Sequence, residues 1–93
     1  MRIAKALADP TRFSILARIA AEPDIACQHL IEEFKVTPAT ISHHLKELGG
    51  ADLVEMRRAG KCGFLTLRAD IFSAYQQELG HRLDPPKKRR RRA

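Results

Sequence analysis

Four stretches of the chain place apolar residues at helical spacing; two short runs around a glycine follow, and then the helical spacing returns. Ile3, Ala4 and Leu7 predict a short first helix. Asp9-Pro10 is a start signal, with Asp as N-cap and Pro at the first helical position, for a second helix from Pro10 to about Ala21. Phe13, Leu16 and Ala20 lie on one stripe of it, with Ile15 and Ile19 beside them, and so wide an apolar face marks a central core helix. Pro23 ends that segment. Asp24 is expected to cap a third helix, Ile25 to about Phe34, with Leu30, Ile31 and Phe34 as its apolar contacts. Lys35-Val36 is a tight link. Thr37 caps a fourth helix with Pro38 at its first position, and Gly49-Gly50 is expected to end it.

The fourth helix is two-faced. Ile41, Leu45 and Leu48 follow the i, i+4, i+7 spacing and must face the core. The other side carries Ala39, Ser42, His43 and Lys46, with Thr40 at its edge. A helix that reads base edges needs this mixture: short side chains for close approach, hydroxyl and imidazole groups for hydrogen bonds, and lysine for phosphate. Two helices joined by a short turn, the second polar outward, suggest a helix-turn-helix. Leu30, Phe34, Val36 and Ile41 supply apolar residues where that motif needs them. Two positions depart from its usual pattern. Ile31 stands where alanine commonly allows close packing. Lys35 stands where glycine commonly takes up a left-handed turn, at a cost on the order of 1 kcal/mol for a residue with a side chain.

Strands are expected at Val54 to Arg58 and Cys62 to Leu67, with Ala59-Gly60-Lys61 as the turn and Leu53, Val54, Leu65 and Leu67 pointing inward. Arg57, Arg58 and Lys61 gather near the tip. A basic hairpin directly after a recognition helix acts as a wing, whose tip reaches the DNA backbone or minor groove. Asp70 is expected to cap a last helix, Ile71 to about Leu83. Phe72, Tyr75 and Leu79 recur on it at i, i+3, i+7, with Leu83 beyond, and form a narrow apolar seam that needs a partner to bury it.

Composition narrows the picture. Ninety-three residues make one small domain, and with no Trp, one Tyr and four Phe its core must be aliphatic. A core this small favours oligomerisation. No apolar run reaches the roughly 18 residues that span a membrane, and the N-terminus is too polar for a signal peptide. Cys27 and Cys62 are too few for a disulfide scaffold, so reduced thiols and a cytoplasmic location are expected. The net charge of +6 lies entirely in the tail: 17 basic residues less the six in PPKKRRRRA leave 11, matched by 11 acidic ones. Residues 85–93 are expected to form a disordered basic arm that attracts phosphates without sequence preference, and residues 1–84 the folded domain.

Three blocks, ALADPTRFSIL at 6–16, TPATISHHLKEL at 37–48 and LVEMRRAGK at 53–61, resemble the ArsR/SmtB family of bacterial transcription regulators, and the resemblance spans residues 1 to about 83. It implies a fold that is mainly α with a small β-hairpin wing, a dimeric winged helix-turn-helix, and a homodimeric repressor that binds an imperfect palindrome in double-stranded DNA. By similarity, the residues at the groove are Thr37, Ala39, Thr40, Ser42, His43 and Lys46, joined by Arg57, Arg58 and Lys61 of the wing. The family pairs its first and last helices across the dimer, so Ile3 and Leu7 are expected to meet Phe72, Tyr75 and Leu79 there.

Many members of that family sense metals, but their ligand patterns are broken in this chain. Where a Cys-x-Cys pair is used, DIACQHL has Ala26 and Gln28 with Cys27 between them. Where Asp-x-His opens a second site, Asp70 is followed by Phe72; His81 and Asp84 are spaced like its other half. No closed set of three or four ligands can be assembled, so neither a metal site nor a cofactor is expected. Cys27 is expected to be a small buried hydrophobe and His29 a surface residue. A metal- or thiol-responsive repressor using Cys27 or Cys62 is one alternative, and a winged-helix protein-interaction module another, although a 39–46 face without aromatics argues against the latter. No phosphate loop or acid–base pair suggests an enzyme. Of the adjacent histidines, His43 belongs to the groove face and His44 borders the Ile41/Leu45 side, because neighbours on a helix point about 100° apart.

Overall fold

A computed structural model describes residues 2–60 and 62–84, with Cys62 described through its backbone alone. The expected turn residue Lys61 and the basic arm at 85–93 lie outside the described residues. The order of elements is α1 (Arg2–Leu7), α2 (Pro10–Ala21), β1 (Ile25–Ala26), α3 (Cys27–Phe34), α4 (Pro38–Gly50), β2 (Val54–Ala59), β3 (Cys62–Leu67) and α5 (Ala69–Leu83). The three strands form one antiparallel sheet in the order β1-β3-β2.

The two proline-led helices begin as the chemistry of their caps dictates. The Asp9 carboxylate accepts from the amides of Thr11 at 2.9 Å and Arg12 at 3.1 Å. Those donors favour the ionised acid, the Arg12 amide foremost, and hold its pKa below the ordinary 3.8. The Thr37 hydroxyl accepts from the Thr40 amide at 3.1 Å. Between α3 and α4 the chain turns through Lys35 in the left-handed region, φ 54° and ψ 44°, where a helix-turn-helix commonly has glycine.

Ile15, Leu16 and Ile19 of α2, Ile25 of β1, Leu30 of α3, Ile41, Leu45 and Leu48 of α4, and Leu53, Val54 and Leu65 make one aliphatic core, to which α1 contributes Ala6. Ile3, Leu7, Ile71 and Phe72 pack against it from its margin.

Several expected details change. In α2 the buried edge is Ile15, Leu16 and Ile19, while Phe13 is half exposed and Ala20 exposed. The wide apolar face is real, but the sheet and α4 cover only one side of it. Asp24 caps no helix: it has a left-handed backbone, φ 64°, and Ile25 and Ala26 run as a strand opposite Leu65 and Phe64. Strand pairing to β3 satisfies backbone groups that an extra helical turn would have used, so α3 starts only at Cys27. α4 ends at Gly50, as the Gly49-Gly50 pair leads one to expect, but the left-handed residue that follows is not a glycine: it is Asp52, φ 62°. A side-chain carbon on Gly50 would meet only the guanidinium of Arg2, the end of an exposed, flexible side chain that can move aside. β2 runs one residue further than expected, to Ala59, before Gly60 turns with φ 64°. α5 begins at Ala69 with Arg68 at its cap position, and Asp70, instead of capping, pairs with Arg68 at 3.1 Å in the first turn.

Lys35→Gly is expected to stabilise the protein by about 0.5–1 kcal/mol, because relief of the left-handed strain exceeds the extra freedom of an unfolded glycine. Urea denaturation of the two proteins checks this; a loss of stability would mean that the turn is unstrained.

Candidate nucleic-acid interface

The position of α4 follows from burial. Ile41 and Leu48 are fully enclosed and Leu45 nearly so, which turns the opposite face of the same helix to solvent. Ala39, Ser42, His43 and Lys46 are all exposed on that face. Thr37 is exposed and Thr40 half-buried; their hydroxyl oxygens lie 2.9 Å apart, so both belong to the cap as well as to the surface. The histidines divide as their angular separation requires: His43 is exposed and His44 is 7% exposed, their rings 5.7 Å apart and tilted by 54°. His44 faces inward near Asp9, whose ionised form it favours, and among the described residues its buried Nδ1 meets no hydrogen-bond partner.

The hairpin separates its two arginines. In the register of β2 on β3, Arg57 lies opposite Phe64 and Arg58 opposite Gly63. Successive residues of a strand point to opposite faces. Arg58 therefore shares the inward face with Met56 and lines, with Cys27, Gln28, Ser42 and Met56, a cleft of about 400 Å³ between α3, α4 and the wing. Ser42 of α4 and Arg58 of the wing both line it. Arg57 lies on the outward face instead. Its Nη2 donates to the Asp24 carboxylate at 2.6 Å, and its guanidinium carbon lies 4.6 Å from the centre of the Phe64 ring. The nine groove residues expected from sequence thus resolve into an exposed helix face, Arg58 beside it, Arg57 turned away from it, and Lys61 outside the described residues. Asp24 was missed as a member of this set. The available signal was strand alternation, which already assigns Arg57 and Arg58 to different faces.

The half-buried Cys27 sits in the cleft, and burial pushes its thiol above the ordinary range, with a smaller opposing pull from Arg58. Among the described residues, no three His, Cys, Asp or Glu side chains come together in a way that could hold a metal ion. Outside the interface, Arg18 ties α2 to α3 through Glu33 at 2.9 Å and also meets Glu22 at 2.9 Å; exposed pairs of this kind add little to stability.

Residues 7–57, which include both helices of the motif, match the helix-turn-helix domain family. The chain is 34% identical over 77 residues to the arsenical resistance operon repressor of Staphylococcus xylosus, an alignment covering 83% of this chain and 73% of that protein. The chain belongs to the ArsR/SmtB family. Its fold is similar to that of an ArsR-like transcriptional regulator from Rhodococcus sp. RHA1, with a TM-score of 0.78 and 25% identity over 96% of this chain and 82% of that one. It is also similar to the homodimeric winged helix-turn-helix DNA-binding domain of a possible ArsR-family regulator from Mycobacterium bovis, with a TM-score of 0.71 and 28% identity over 86% and 76% of the two chains. The protein is a DNA-binding transcription regulator with a winged helix-turn-helix, not an enzyme. Among the described residues, no helix is long and apolar enough to cross a membrane.

In a Cys62→Ser background, Cys27 is expected to alkylate several-fold more slowly in the native protein at neutral pH than in the urea-unfolded chain, because the raised pKa leaves less thiolate. Iodoacetamide kinetics followed by mass spectrometry test this; equal rates would show that burial does not protect the thiol.

Proposed function

We propose that the protein is a homodimeric repressor that binds an imperfect palindrome in a promoter, with one recognition helix α4 entering each half-site. The observation that carries this reading is the polarity of α4: a buried Ile41/Leu45/Leu48 side rigidly presents an exposed Ala39/Ser42/His43/Lys46 side. In this reading Ser42 and His43 face base edges, Ala39 permits close approach, and Thr37, Thr40 and Lys46 meet phosphates. Arg58 and Lys61 add backbone contacts from the wing, and Arg57 joins them on the terms developed below. The arm at 85–93 adds affinity without preference. Repression is the activity named for the staphylococcal relative and is extended to this chain on that likeness. The DNA partner puts the protein's work in the cytoplasm.

Dimerisation is supported by surface left uncovered. α5 has no buried residue: Phe72 and Tyr75 are half-buried, and Leu79 and Leu83 are 38% and 72% exposed. Beside it lies an entirely apolar groove of about 150 Å³ between Phe13, Leu16, Ala17, Ala20, Leu67 and Phe72. A second copy is the occupant we assign, with α5 and the outer edges of Ile3 and Leu7 in the interface, as the homodimeric Mycobacterium bovis domain suggests. A two-fold axis would set the two α4 helices roughly 34–36 Å apart, one turn of DNA.

Selection from a random DNA pool should recover an inverted repeat with half-sites about one turn apart; a single, non-repeated site would overturn the palindromic reading. Lys46→Ala and Arg58→Ala should each lower the slope of log affinity against log salt by about one, whereas an unchanged slope would remove that residue from the phosphate contacts. Leu79→Lys should shift sedimentation from dimer to monomer, and a dimer that persists would relocate the interface.

A further inference from the structure

The sheet has a polar contact on its outer face that neither the core nor the recognition helix requires. Asp24 occupies the left-handed region immediately before β1. That conformation is uncommon for a residue with a side chain, although aspartate and asparagine adopt it more readily than most. Its carboxylate holds the Arg57 guanidinium of β2 at 2.6 Å, and the same guanidinium lies over Phe64 of β3. Arg57 is opposite Phe64, and Phe64 is opposite Ala26 of β1, so one arginine spans the outer face of all three strands. Both partners are about half exposed, 56% for the Arg57 side chain and 50% for that of Asp24. A contact so open to water is weak and can exchange. Arg58, on the opposite face, makes no ion pair among the described residues.

A carboxylate and a backbone phosphate offer a guanidinium the same bidentate geometry and the same sign of charge. Arg57 lies three residues before the turning Gly60, on the element that the DNA-binding reading brings to the duplex. We propose that Asp24 is a built-in competitor of DNA: its carboxylate occupies Arg57 in the free protein, and a phosphate replaces it in the complex. This inference rests on the DNA-binding reading. Asp24 is a positioning residue here, acting on DNA only through Arg57. It lowers affinity for every duplex by one exchanged ion pair and leaves sequence preference unchanged, because phosphate contacts contain no base information.

The test is a double-mutant cycle. Asp24→Asn removes the charge and keeps a side chain that tolerates the left-handed backbone. Arg57→Gln removes the guanidinium. Fluorescence anisotropy with a random-sequence duplex would be measured at low and moderate salt for the wild type, both single variants and the double variant, with thermal unfolding as a check on folding. Asp24→Asn should bind about two- to fivefold more tightly, the size expected of one exposed ion pair, and Arg57→Gln more weakly. Adding Asp24→Asn to Arg57→Gln should then change nothing further. Unchanged or weaker binding by Asp24→Asn would make the pair a scaffold tie and overturn the proposal. An equal gain with and without Arg57 would reduce it to loss of a negative charge and overturn it as well. Either result, with the wild type still bound to DNA, leaves the DNA-binding reading intact. A wild type that binds no duplex even at low salt would overturn both.

Discussion

The structure depends on the burial of one side of α4. Ile41, Leu45 and Leu48 drive into the aliphatic core with Ile15 and Ile19 of α2 and with Leu30, Leu53 and Leu65. Each such side chain contributes roughly 1.5–3 kcal/mol when fully removed from water, against a total stability of about 5–15 kcal/mol for a domain. The helix therefore cannot roll without losing a large part of the fold. That constraint turns a list of exposed residues into a surface of fixed shape: Ala39, Ser42, His43 and Lys46 point outward because their neighbours have no other place to go. The Thr37 cap and the Lys35 turn set where the helix starts and the angle at which it leaves α3.

The wing is tied to this arrangement by the backbone. Leu53 donates its amide to the Leu48 carbonyl at 3.0 Å, and the Arg68 amide returns to the Leu53 carbonyl at 2.7 Å, so β2 leaves α4 and β3 comes back to the same point. The hairpin pivots on a fully buried leucine. Its inward side completes the core through Val54 and Leu65 and ends in Arg58 beside the recognition helix; its outward side holds Arg57 on Phe64 and Asp24. A body with no net charge can present a cationic edge in this way, because strand pairing assigns each charge to a side.

The helices and the hairpin are legible in the sequence because each is specified by local chemistry. Asp9-Pro10 and Thr37-Pro38 mark helix starts, the i, i+4, i+7 spacing of Ile41, Leu45 and Leu48 fixes which side of α4 is buried, and Gly60 marks the hairpin turn. The division between His43 and His44 follows from the same angular rule. Family membership rests on three local blocks and was equally accessible.

What only the tertiary structure decided is pairing at a distance. Ile25 and Ala26 have no local reason to be a strand; they become one because β3 offers an edge 39 or so residues later in the chain. Phe13 belongs to an apolar stripe, but whether a stripe residue is covered depends on which neighbours exist, and among the described residues those neighbours leave it half exposed. Asp24 looked like a helix cap because aspartate before an apolar run usually is one. Its carboxylate instead found Arg57, 33 residues away, because β1, β3 and β2 bring them side by side. Local sequence determines which elements form and which way they face; the sheet determines which charges meet, because a strand's partner is set by register and not by its own residues.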